Sequence, residues 1–275
     1  MFKGKAIYNP SGKALEYAPW ACNFVVGCPN DCEYCYCKSG PLGNLWSKEQ
    51  RLKKCFKDEK HALDVFESEL SFNIVELQKH GLFFTFTSDP FAEPFRQLHM
   101  DAWGKAVHEY DVNVTVCTKM TDWIDSFLEW INKSNSDNAS LEWRKNICFM
   151  FTLTGCDYLE PGASTNRERC EGMKKLHDNG FRTAASIEPI IDFDMSYEMI
   201  YMTRNCCDHY KIGLLSHQKV DMSYYNKLRY FNLQVVNALA NTKATVYWKD
   251  SFTKHFGQFP DAGMNVDVDY NIFHE

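Results

Sequence analysis

Cys28, Cys32 and Cys35 stand in a C-x3-C-x2-C run within Gly27-Cys28-Pro29-Asn30-Asp31-Cys32-Glu33-Tyr34-Cys35-Tyr36-Cys37. Three thiolates on so short a loop can each take a different iron of a [4Fe–4S] cubane, leaving the fourth iron with an open position. An open iron can be chelated by a small molecule that carries an amino and a carboxylate group. Two other chemistries use the same residue types. Zinc would want a fourth Cys or His nearby, which Cys22 or Cys37 could supply, in a protein that binds without catalysing. A redox pair at Cys32 and Cys35 calls for a thioredoxin-like setting, which the extra Cys28 does not favour.

Twelve cysteines in 275 residues are many. A disulfide framework belongs to small secreted domains, and no apolar h-region follows residues 1–5. The expectation is a reducing, cytoplasmic setting, with Cys22, Cys37, Cys55, Cys148 and Cys170 buried as small hydrophobes. No apolar run approaches the roughly 18 residues of a membrane span. The net charge of −6 argues against bulk, non-specific nucleic-acid binding, which needs many basic contacts to phosphate. The basic stretch Lys48, Arg51, Lys53, Lys54 and Lys57 reads as a solvated face. His99, His177 and His217 show no paired metal spacing.

The elements that must position these groups alternate along the chain. Short apolar or β-branched runs at 82–87 (LFFTFT), 112–118, 147–152 (ICFMFT), 182–187, 210–215 and 244–248 read as strands, with another apolar run at 24–27 before the cysteines. Helical periods cover 61–79, 100–110, 122–132, 166–178 and 223–240, and 133–144 reads as a loop or helical insertion. Gly180 stands where a helix C-cap would end the fourth of these. Strand–helix alternation implies parallel strands with crossover helices. The fold class predicted is α/β, a partial (β/α)6-type TIM barrel with outer helices, a doubly wound sheet being the alternative. One domain spans 1–275, with its core at about 20–250 and a tail, 251–275, over one barrel end. Barrel sites lie at the C-terminal ends of strands, so the residues there are the ones to inspect, Lys249 and Asp250 among them.

The cysteine spacing, with an aromatic just before the last cysteine, resembles the signature of the radical S-adenosylmethionine superfamily. Within it, GCPNDCEYCYCK is similar to the cluster loop of spore photoproduct lyase and the radical DNA repair photolyase group. Phe86-Thr87-Ser88-Asp89-Pro90, Thr118-Lys119, Glu160-Pro161-Gly162 and Glu188-Pro189-Ile190 resemble further landmarks of that group in the same order.

The resemblance implies a barrel fold and an enzyme that cleaves S-adenosylmethionine reductively at a [4Fe–4S] cluster and abstracts hydrogen from a substrate. A nucleic acid or nucleotide is the substrate it implies; a peptide or small metabolite is the alternative. An outside reductase, or a flavodoxin- or ferredoxin-type donor, would supply the electron. Carried over by position, Cys28, Cys32 and Cys35 hold the cluster. Ser88, with Asp89 beside it, Lys119 and Thr152 contact S-adenosylmethionine, and Tyr34 lies by the adenine. Tyr36 matches a tyrosine near the radical path. In the lyase a hydrogen-donor cysteine directly precedes the Thr-Ser pair; Phe86 stands there in this chain, and Cys117 or Cys156 are the candidate replacements. Glu188 replaces an alanine and puts a carboxylate near the expected pocket.

Overall fold

A computed structural model describes residues 1–39, 43–44, 46–134, 138–215, 221–255 and 264–274. The chain enters through two short strands, β1 (Ile7–Tyr8) and β2 (Ala21–Cys22), and then forms β3 (Val25–Val26) and β4 (Arg51–Leu52). Helices α1 (Glu59–Phe72) and α2 (Ile74–His80) follow. From β5 (Leu82–Phe84) onward strands and helices alternate: α3 (Arg96–Tyr110), β6 (Val114–Thr118), α4 (Ile124–Ser134), β7 (Ile147–Thr152), α5 (Asn166–Asp178), β8 (Arg182–Ile190), α6 (Phe193–Thr203), β9 (His209–Leu214), α7 (Met222–Leu239), β10 (Thr245–Trp248) and α8 (Asp250–Thr253).

Eight strands make one sheet in the order β1-β2-β5-β6-β7-β8-β9-β10. Every neighbouring pair is parallel except β1 with β2. This is the partial α/β barrel that the strand–helix alternation predicts. The rows of β7 show why it folds so. Ile147, Phe149 and Phe151 join the apolar layer under the helices, while Cys148 and Met150 face a smaller inner cluster with Phe83 and Ala184. Both faces are covered, which suits a continuous apolar run. Helix starts are fixed locally: the side chains of Asp58, Thr165, Asp192 and Asp221 each accept a first-turn backbone N–H, as N-caps do.

Among the described residues no ladder joins β1 or β2 to β10, so backbone bonds do not close the barrel. Side chains cross the gap instead. Glu16 accepts from the Tyr247 hydroxyl at 3.2 Å and the Asp250 N–H at 2.8 Å, and lies 3.3 Å from the Lys249 ammonium. Its carbonyl accepts from Lys211 at 2.8 Å.

Several boundaries differ from the sequence expectation. The 61–79 helix breaks at Asn73, whose side chain donates to the Glu69 carbonyl and competes with the helical ladder. The run at 24–27 is not a barrel strand; its β3 pairs antiparallel with β4 in a separate two-stranded sheet. Strand β5 ends at Phe84, beyond which Phe86 N–H turns to the Asn23 side chain and the Thr87 hydroxyl to the Val25 carbonyl. Helix α6 is absent from the periodicity because its outer face also carries Met195, Tyr201 and Met202; the Asp192 cap was its legible signal. In the 133–144 insertion, a 3-10 helix runs over Asn138–Asn146, and residues 135–137 lie outside the described residues. Residues 264–274 meet the N-terminal strand ends, with Asn271 donating to the Lys79 carbonyl at 3.4 Å. The rest of the expected tail, 256–263 and 275, lies outside the described residues, as does His217. No described helix is long and apolar enough to cross a membrane.

Candidate active site

A cavity of about 340 Å³ opens at the C-terminal ends of the barrel strands. Cys28, Cys32, Cys35, Tyr34, Tyr36, Ser88, Asp89, Cys117, Lys119, Thr152 and Glu188 all contribute to its wall, although they span much of the sequence. Cys156 does not; its thiol turns to the Met195 sulfur at 3.6 Å.

The cysteine loop is held from both sides. At Gly27, with φ +91°, a Cβ would fall 2.2 Å from the Glu49 carbonyl oxygen, so the loop can start here only with glycine. Cys28 N–H donates to Ser47 O at 2.9 Å. On the other side Glu33 N–H donates to Leu159 O and Gly162 N–H to Asn30 O, at 2.9 and 3.2 Å. A Cβ at Gly162 would lie 2.0 Å from the Pro29 carbonyl oxygen. The Glu-Pro-Gly stretch is thus the clamp of the cysteine loop. Burial pushes the Cys28 thiol up to about 12, while a hydrogen bond with Cys37 holds Cys35 below the ordinary thiol value. Among the described residues no three His, Cys, Asp or Glu side chains gather around a point where one metal ion could sit. A tetrahedral zinc site needs such a gathering. A cubane does not, because each thiolate reaches a different iron.

Asp89 is buried and fully engaged. One carboxylate oxygen accepts from the Thr118 hydroxyl at 2.7 Å and the Phe91 N–H at 3.0 Å; the other accepts from the Asn30 amide and the Lys119 N–H, both at 2.8 Å. It ties the cysteine loop to the end of β6, and its lone pairs face the chain itself. Asp89→Asn would set an amide against two of those donors. The expected loss is about 1–3 kcal/mol, read as a lower melting temperature in circular dichroism.

Ser88 donates to Gly27 O at 2.6 Å and accepts from the Gln50 amide at 2.5 Å. Lys119 extends over the Tyr34 ring, 5.7 Å from its centroid, and among the described residues no carboxylate lies within ion-pair reach of its ammonium. Burial works against its charge, yet Tyr34, Cys32 and Glu160 carry its pKa above the ordinary lysine value. The Tyr34 hydroxyl donates to Glu160, which is paired with Arg169. Arg169 in turn donates to the Thr152 carbonyl at 2.6 Å, so the cysteine loop is linked to the end of β7. Cys117 lies 3.9 Å from the Thr152 hydroxyl, its thiol pushed up to about 11 by burial. The Tyr36 hydroxyl donates to the Phe86 carbonyl, and Phe86 stacks on Phe83 with ring centroids 4.5 Å apart.

The cavity wall also holds Tyr17 and Ser186, which the sequence reading left out. Glu188 pairs with Lys249 at 2.5 Å and accepts from the Tyr17 hydroxyl at 2.8 Å. Tyr17 also shares a hydrogen bond with Ser186 at 2.7 Å, and the Lys249 ammonium lies 4.2 Å from the Tyr17 ring centroid. Lys249, read as a strand-end candidate, is fully buried. Opposite charges at two strand ends were the available signal for the Glu188–Lys249 pair. Nothing in the polar segment around Tyr17 marks that residue.

No protein-family model and no curated protein matches the sequence. Solved structures do match in fold. A Cys-to-Ser variant of spore photoproduct lyase superposes with a TM-score of 0.58 at 14% identity, covering 90% of this chain and 80% of that one. A Cys-to-Ala variant of the lyase with dinucleoside spore photoproduct gives a TM-score of 0.55 at 13% identity, over 88% and 79% of the two chains. SuiB of Streptococcus suis, bound to S-adenosylmethionine, gives 0.50 at 12% identity over 84% of this chain and 52% of its own. At 12–14% identity these matches show the fold: the chain carries the partial barrel fold of spore photoproduct lyase.

Proposed function

We propose that the chain is a radical S-adenosylmethionine enzyme. In this reading Cys28, Cys32 and Cys35 hold a [4Fe–4S] cluster, and S-adenosylmethionine binds beside it. The observation that carries the reading is the convergence of three thiols with Ser88, Lys119 and Thr152 on one cavity. When bound, the cofactor pair supplies one-electron reductive cleavage of the sulfonium to methionine and a 5′-deoxyadenosyl radical.

The chain's own residues fit those groups. The Lys119 ammonium, without a carboxylate partner among the described residues, is free to pair with the methionine carboxylate. The Ser88 oxygen can accept from the amino group. The Tyr34 ring, fixed by its hydroxyl bond to Glu160, offers a face to the adenine. Asp89 and Glu160 act through the groups they hold. Tyr17, Phe83 and Phe86 wall the cavity with rings, which limits water around a radical. Cys117 and Tyr36 are the hydrogen- or radical-transfer candidates on the wall. A nucleotide or nucleic-acid substrate is favoured by the fold likeness to the lyase, with a reductase or a flavodoxin- or ferredoxin-type protein as electron donor, in the cytoplasm.

The test is 5′-deoxyadenosine release by the anaerobically reconstituted, reduced protein, with and without oligonucleotide. Lys119→Met should raise KM for S-adenosylmethionine about tenfold or more, equivalent to about 1.4 kcal/mol, with cluster absorbance unchanged. An unchanged KM removes Lys119 from the site. No product under either condition from protein with a complete cluster removes the oligonucleotide as substrate; failure to take up a cluster on reconstitution overturns the reading.

A further inference from the structure

The barrel has a second cavity, of about 590 Å³, at its N-terminal end. Tyr17 and Phe83 line both cavities and form the partition between them. The walls are mainly apolar, with Met150 and Ala184 from the barrel and Ile272 and Phe273 from the C-terminal segment. Two buried polar side chains from β9 project into it.

Lys211 is 5% exposed. Its ammonium donates to the Glu16 carbonyl at 2.8 Å and lies 5.1 Å from the Tyr247 ring centroid. Among the described residues it has no carboxylate within ion-pair distance, whereas Lys249 next to it has two. His209 is 3% exposed. Its Nδ1 shares a hydrogen bond with Thr245 at 2.8 Å, and its Nε2 has no hydrogen-bond partner among the described residues. A buried charge without a counter-ion and a buried ring nitrogen without a partner are both costly. The reaction proposed above uses neither.

We propose that this cavity binds a small aromatic carboxylate, its charged end between Lys211 and His209 and its ring among Phe83, Met150 and Phe273. The anion supplies the counter-ion that Lys211 lacks. When Thr245 donates to Nδ1, the Nε2–H of His209 donates to the same carboxylate. Burial, with Lys249 adding repulsion, holds Lys211 down to about 7, so an arriving anion stabilises the protonated amine. Lys79, His80 and His274 make the rim basic, with exposed Asp269 the acidic residue of the lining. The apolar walls favour a ring-bearing acid over inorganic phosphate.

Isothermal titration of the reconstituted protein with benzoate, phenylacetate and indole-3-acetate tests this, with 2-phenylethanol as the neutral counterpart. At least one acid should bind saturably at one site per chain, about tenfold or more tighter than the alcohol. Lys211→Met, which removes the charge, and Ala184→Leu, which fills the space, should each abolish that binding. Lys119→Met should leave it intact. Absence of saturable binding by all three acids, or equal affinity for the alcohol, overturns the proposal without recourse to any variant. Loss in Lys119→Met would assign the binding to the cysteine cavity and overturn it as well.

Discussion

Cys32→Ala is expected to abolish 5′-deoxyadenosine formation, and the reconstituted protein should lose its iron–sulfur absorbance with it. Cys32 is buried between Asp31 and Glu33, in the part of the loop that Leu159 and Gly162 clamp by backbone bonds. Two remaining thiolates cannot hold three irons, and the fixed loop cannot bring another cysteine to the empty place. The expected drop is about a thousandfold or more, equivalent to about 4 kcal/mol of barrier. Cys37→Ala is the informative partner. The Cys37 thiol donates to the Phe86 carbonyl at 3.6 Å and is not one of the three cysteines in the motif. It should keep its iron and most of its product. The zinc reading requires the opposite, since zinc takes four ligands and Cys37 or Cys22 would supply the fourth. Retained colour and turnover in Cys37→Ala, beside loss of both in Cys32→Ala, support the three-cysteine cluster. Metal loss in Cys37→Ala together with Cys32→Ala would overturn it.

The barrel was legible because parallel strands buried on both faces write themselves as apolar runs. Residues 147–152 match β7 without a shift in either boundary. The shared cavity of the candidate residues was legible for a related reason: barrel sites lie where those runs end, and Lys119, Thr152 and Glu188 lie at or near such ends. What escaped is what depends on partners distant in sequence. Asp89 reads as a cofactor contact beside Ser88, but its four donors come from four separate backbone or side-chain positions. Glu160 enters the sequence reading only as part of the Glu160-Pro161-Gly162 landmark, yet its carboxylate is buried against Arg169 and Tyr34. Glu16 and Tyr17 lie in a segment without periodicity, and their importance comes from spanning the gap that β10 leaves open. Periodicity reports one element's face. It cannot report which two elements a polar side chain joins.

Glu160→Ala is expected to be the most destabilising single change around the site. Arg169 and the Glu160 side chain are both fully buried, so removal of the carboxylate leaves the guanidinium with only the half-exposed Asp157 carboxylate, 3.8 Å away. Breaking one half of a buried pair costs about 3–5 kcal/mol, which for a chain of this size is a fall of roughly 10 °C in melting temperature. Glu160→Gln keeps an acceptor for Tyr34 and Arg169 and should lose less. Glu160→Ala/Arg169→Leu removes both charges and should recover part of the stability, because the stranded charge rather than the missing bond dominates the penalty. Thermal unfolding of the three variants separates these terms. A single Glu160→Ala that melts with the parent would show that the pair is not load-carrying. The same variants also report on the site: Tyr34 loses its anchor in Glu160→Ala and keeps it in Glu160→Gln. At a temperature where both are folded, only Glu160→Ala should show a raised KM for S-adenosylmethionine, since the Tyr34 ring then no longer holds the orientation that the Glu160–Arg169–Thr152 chain imposes on it.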